Sequence, residues 1–153
     1  MNLSFSSAMR ATTLVAVVAL SACSSMSGMM PGSSTVPLRA SLDAKQEVPP
    51  NGSTASGTME GRFDKTTSML TWKITYSGLT GPATAGHFHG PAPQGQNAGV
   101  VVPFNNPSSP IEGSLTLTPG QVADLMAGKW YVNIHTAANP AGEIRGQVMP
   151  AGM

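Results

Sequence analysis

Leu70-Thr71-Trp72-Lys73-Ile74-Thr75-Tyr76 alternates apolar with polar residues without a break, so one face of this segment is apolar and the other polar. That period of two is the signature of a half-buried β-strand. Working outward, the same alternation occurs in Val36, Leu38, Ala40 and Leu42, and again in Ala55, Gly57, Met59, Gly61 and Phe63. Further strands are expected around residues 84–89, 100–104, 111–117, 130–136 and 143–149. Turn-forming runs such as Pro49-Pro50-Asn51-Gly52 and Asn139-Pro140-Ala141-Gly142 separate them. About eight short strands at this spacing predict an all-β fold, an antiparallel Greek-key sandwich or barrel.

One short helix interrupts the strands. Thr118 suits its N-cap, Pro119 its first position, and Gln121 completes a capping box, while Gly128 terminates it. Val122, Leu125 and Met126 supply an apolar stripe, as expected of a helix plugging one end of a barrel.

The first residues read as a targeting device. Arg10 precedes an apolar run from Ala11 to Leu20, about half of the ~20 residues that a membrane-spanning helix needs. Leu20-Ser21-Ala22-Cys23 resembles the lipobox of bacterial lipoproteins, which implies a signal peptide over 1–22 and an acylated Cys23. The alternative is ordinary cleavage near Ala22, leaving a free thiol. Residues 23–35 form a Ser/Gly/Met tether in which Met26, Met29 and Met30 read as linker residues, and 36–150 is the β domain. The expected location is an exported, membrane-anchored one, at the outer membrane if the cell is Gram-negative, because Ser24 rather than Asp follows the cysteine.

Cys23 is the one cysteine in the chain, so the domain has neither a disulfide nor a thiolate metal site. A net charge of +1 gives no electrostatic footprint for a phosphate backbone, which argues against a nucleic-acid partner. Gly95-Gln96-Asn97-Ala98-Gly99 leads into a β-run rather than a helix, so it is not a phosphate cradle. No nucleophile elbow is present, and no organic cofactor is implied.

The three histidines are concentrated in His87-Phe88-His89 and Asn133-Ile134-His135. Side chains at i and i+2 of a strand share a face and lie ~7 Å apart. His87 and His89 therefore point together, while Phe88 and Ile134 point to the core. Two imidazoles from one strand and a third from its neighbour make a nitrogen set for copper or zinc. If Ile134 faces Ile144, then Val132 meets Gly146 and Trp130 meets Val148, an apolar face throughout. The other face then pairs Tyr131 with Gln147, Asn133 with Arg145 and His135 with Glu143, and a one-residue slip would mix the faces. Glu143 is thus expected beside His135, orienting the imidazole or serving as an added ligand. Glu47 reads as part of a rigid strand exit, and Trp130 and Tyr131 as one core and one surface aromatic.

Several of these stretches, in order, resemble the CHRD domain, the module named after repeats in chordin and also found singly in bacterial exported proteins. They are Glu47-Val48-Pro49-Pro50, the block from Gly86 through Val102, Leu125 with Gly128, Trp130 through Thr136, and Asn139 through Gln147. The resemblance implies an extracellular all-β domain and no settled catalytic activity. His87, His89 and His135 also look like part of the copper set of Cu/Zn superoxide dismutase. Here, however, the chain lacks a fourth histidine, a zinc-binding cluster and a disulfide.

The expected function is therefore a lipid-anchored envelope protein that binds one copper or zinc ion through His87, His89 and His135 without turnover, its protein partner unidentified. A structural or adhesive module, whose histidines only hold the Gly90-Pro91 turn and the loop after Thr136, is the alternative. A dismutase-like redox enzyme is the second.

Overall fold

The alternation around Trp72 forms a strand, as expected, and the strands on either side follow it. The computed structural model describes Met1 and residues 34–151. Cys23, the apolar run before it and the methionines of the tether lie outside the described residues. The strands are β1 (Thr35–Asp43), β2 (Ser56–Asp64), β3 (Met69–Ser77), β4 (Ala83–His89), β5 (Val100–Pro103), β6 (Ile111–Thr116), β7 (Tyr131–Thr136), β8 (Ile144–Gln147) and β9 (Met149–Pro150). One helix, α1 (Pro119–Met126), precedes β7, and a 3-10 turn at Ala44–Gln46 follows β1. Among the described residues no helix is long and apolar enough to cross a membrane.

All strand pairs are antiparallel, in the order β5-β4-β7-β8-β1-β2-β3-β6, with β9 alongside β1. The expected all-β fold with one short helix is present. Its form is one curled sheet, a half-barrel, rather than two stacked sheets. The curl is visible in the core, where Trp72 of β3 meets Phe88 of β4 edge-on at 5.2 Å although four strands lie between them in the sheet order.

The apolar face collects Leu38, Leu42, Met59, Phe63, Leu70, Ile74, Phe88, Val132, Ile134 and Ile144. Phe88 sits at its centre, with Phe104 edge-on at 5.1 Å and Trp130 tilted at 5.8 Å. Helix α1 forms as its sequence dictates. The Thr118 side chain accepts from the Gln121 amide, the Gln121 side chain accepts from the Thr118 amide, and Gly128 takes φ 67° just past the end. Leu125 of the helix is fully buried in the core.

The closing segment departs from one expectation. Residues 143–149 do not form a single strand, because β8 ends at Gln147 and Val148 drops into the core, its amide bonded to the Trp130 carbonyl. The chain then resumes as β9 against Leu38 and Arg39 of β1.

Phe88 anchors the strand that carries His87 and His89, so Phe88→Ala should cost about 3–5 kcal/mol by urea unfolding. A loss below about 1 kcal/mol would mean that the aromatic cluster does not hold this strand.

Candidate metal centre

The β4–β7 ladder sets the site. Ala85 pairs with His135, His87 with Asn133, and His89 with Tyr131. All six side chains share the face opposite Phe88, Val132 and Ile134. β8 extends this face with the pairing expected from the sequence: Ile134 with Ile144, Asn133 with Arg145, Val132 with Gly146 and Tyr131 with Gln147.

One nitrogen from each of His87, His89 and His135 lies within 4.8 Å of the others, a group that could hold a metal ion. An ion bonded at ~2.0–2.1 Å to each needs nitrogens no more than about 4.2 Å apart, so the set closes with a shift of roughly half an ångström. The second ring nitrogen of two of the three is already fixed. His89 Nδ1 is 3.0 Å from the Ala98 carbonyl, and His135 Nδ1 is 3.0 Å from the Pro140 carbonyl. A carbonyl only accepts, so both Nδ1 atoms carry the proton and both Nε2 atoms present a lone pair. This is the outer hydrogen bond that orients histidine ligands in metal sites. His89 Nε2 is buried without a hydrogen-bond partner among the described residues. His87 Nδ1 donates to His135 Nε2 at 3.1 Å, and binding through that atom requires only that its proton move to the other ring nitrogen.

Burial lowers the pKa of all three imidazoles below the ordinary 6.5. For His87 the neighbouring His135 and His89 add to the effect. For His89 the Ala98 carbonyl opposes it, while His135 and Arg145 reinforce it. For His135 the Pro140 carbonyl opposes it. The rings are therefore mainly neutral at pH 7, the form that binds metals.

Glu143 does not take the role expected of it. The β7–β8 ladder stops at Ile134 and Ile144, one pair short of His135. The Glu143 carboxylate instead accepts from Ser53 Oγ (2.6 Å), the Thr80 amide (2.8 Å), Thr80 Oγ1 (2.7 Å) and Thr136 Oγ1 (2.6 Å). These four donors draw it toward Thr136, the residue after His135, and Pro140 orients the imidazole in its place. Burial alone would raise the Glu143 pKa, but the hydrogen bonds from Ser53, Thr136 and Thr80 outweigh it and bring it down to about 2.

Tyr131 is a second correction. It is buried, as Trp130 is, but on the opposite face. Its ring stacks on His89 with centroids 4.9 Å apart and planes 3° from parallel, and the Arg145 guanidinium lies 3.5 Å from the Tyr131 ring centroid. Arg145 is buried too, donating to Asn97 Oδ1 at 2.9 Å and the Gln96 carbonyl at 2.6 Å. The Tyr131 hydroxyl accepts from the Ala98 amide at 3.0 Å. The glycine-rich loop 95–99 thus covers this face of the sheet.

Glu47 lies beside this layer rather than acting only as a strand exit. Its carboxylate accepts from Asn133 Nδ2 at 2.7 Å. Burial raises its pKa to about 7, although Arg145 and the Val48 amide pull the other way. The chain passes this carboxylate at Gly142, φ 139°, where a Cβ would lie 2.6 Å from Glu47 Oε1. Asn133, Tyr131 and Arg145 were legible as one face by strand parity. Their burial was not, because no periodicity reports which loop folds over them.

The fold and the cluster together define an all-β half-barrel with a three-histidine group on its non-core face. The chain belongs to the CHRD domain family, whose model matches residues 38–148. No curated protein and no solved structure matches the chain.

The two buried carboxylates impose opposite pH dependences. Glu47, raised from 4.5 to about 7, contributes stability that is full below pH 4.5 and lost as pH rises through 7. Glu143, lowered from 4.5 to about 2, contributes stability present above pH 4.5 and lost as pH falls toward 2. Urea unfolding across pH should show Glu47→Gln flattening the decline between pH 4.5 and 7, and Glu143→Gln flattening the decline on the acid side. Unchanged pH profiles in both variants would contradict these assignments.

Proposed function

We propose that this protein is a membrane-tethered envelope protein whose CHRD domain binds one copper or zinc ion through His87, His89 and His135, without turnover. The observation that carries the reading is the convergence of three ring nitrogens within 4.8 Å, with the Nδ1 protons of His89 and His135 fixed by backbone carbonyls. Histidines serving only to hold loops would need the carbonyl bonds but not the convergence. The buried Nε2 of His89, without a partner among the described residues, has no purpose in that alternative.

Both metals suit neutral imidazole, and Cu(II) stands highest in the affinity order for nitrogen sites. Dismutase-type turnover is disfavoured by the ligand set, which among the described residues comprises three histidines, with the Glu143 carboxylate bonded to Thr136 instead. The tether rests on the sequence around Cys23. Several acyl chains there would hold the protein at the membrane, where a single chain gives only marginal binding.

Protein purified from its native envelope should carry close to one equivalent of copper or zinc by elemental analysis. His87→Ala and His135→Ala should lose it, and equal metal in all three proteins would refute the site. Cys23→Ser should release the chain from the membrane fraction, and continued sedimentation with membranes would refute the anchor.

A further inference from the structure

We infer that the Arg145–Tyr131–His89 stack selects monovalent copper at the three-histidine site, with Arg145 a positioning and charge-tuning residue. The inference rests on the metal-binding reading above and adds the oxidation state of the ion.

Three geometric observations support it. The first is the donor set: three neutral imidazoles, with the adjacent carboxylate of Glu143 held by Ser53, Thr80 and Thr136. No ligand charge then offsets the charge of the ion, and a dication in a partly desolvated site costs more than a monocation. The second is Arg145, a permanent cation 3.5 Å from the Tyr131 ring centroid, on a ring that stacks in turn on His89. It is buried, so solvent screens it little, and its field at the ion opposes a second positive charge more than the first.

The third is that the stack is built in, rather than a chance surface contact. Asn97 and the Gln96 carbonyl hold the guanidinium, and Asn97 Nδ2 donates to the Val48 carbonyl at 3.1 Å. The Ala98 carbonyl accepts from both His89 Nδ1 and the Tyr131 hydroxyl, so one loop residue sets the ring planes of the ligand and of the aromatic behind it. Glu47 interacts electrostatically with Arg145, while its carboxylate is bonded to Asn133. Its ionised form opposes Arg145, which gives the inference a test of sign.

The test uses the full-length protein, with Cu(I) affinity from competition with a chromophoric Cu(I) chelator under anaerobic reducing conditions. Cu(II) affinity comes from competition with a Cu(II) chelator, both at pH 8. Arg145→Met should lower the ratio of Cu(I) to Cu(II) affinity about tenfold, equivalent to a potential about 59 mV lower for this one-electron couple. Arg145→Lys, which keeps the charge, should recover most of that loss, and Glu47→Gln should move the ratio upward.

An unchanged ratio in Arg145→Met, with copper still bound, overturns the inference and leaves the metal site standing. If Arg145→Met does not fold, Glu47→Gln decides: an upward shift supports the inference and no shift overturns it. Failure of the wild-type protein to bind either metal through its histidines would instead remove the underlying reading.

Discussion

The pairing of Ile134 with Ile144 fixes which side chains lie on each face of β7 and β8, and the rest of the molecule is arranged around that choice. With this register, Val132, Ile134 and Ile144 enter the core while Tyr131, Asn133, His135 and Arg145 share the other side. β4 joins in the same phase, sending Phe88 inward and both of its histidines outward. A slip of one residue would bring imidazoles and a guanidinium against Trp72 and Trp130. The cost of burying those groups without partners makes the register close to obligatory.

The face opposite the core is itself covered. Tyr131, Asn133 and Arg145 are buried under the loop of residues 95–99 and the segment around Glu47, and Gln147 is buried with its amide donating to the Ala92 and Gly128 carbonyls. This second layer is polar, held by hydrogen bonds and ring stacking rather than by apolar packing. The metal candidates sit at its margin, where His87 and His135 keep partial access to solvent. Such an arrangement gives a ligand set a rigid backing while leaving a way in, which is what a preorganised site requires.

Glu47 and Glu143 show how little residue type decides by itself. Glu143 is wholly buried, yet four donors hold its charge and keep its pKa near 2. Glu47 is also buried, but the amides of Asn133 and Val48 and a neighbouring guanidinium do not offset desolvation, and its pKa rises to about 7. The number of hydrogen bonds to the ionised form separates the two. The same accounting explains why Glu143 is lost as a partner of His135, since its lone pairs are committed to Ser53, Thr80 and Thr136.

Apart from the break at Val148, the strands, the capped helix, the β7–β8 register and the shared direction of the three histidines were determined by the sequence. Each follows from a local rule: period-two alternation, the capping chemistry of Thr118 and Gln121, and the parity of side chains along a strand. Only the tertiary structure decided that the sheet curls into a half-barrel, that Tyr131 and Arg145 are buried, that Pro140 rather than Glu143 orients His135, and that Glu47 becomes a buried acid. Those outcomes depend on where the loops at 46–52, 90–99 and 137–143 come to rest, and so on contacts between residues as far apart as Glu47 and Asn133. No local period encodes such contacts, because they are set by which polar groups must find partners once the core has closed.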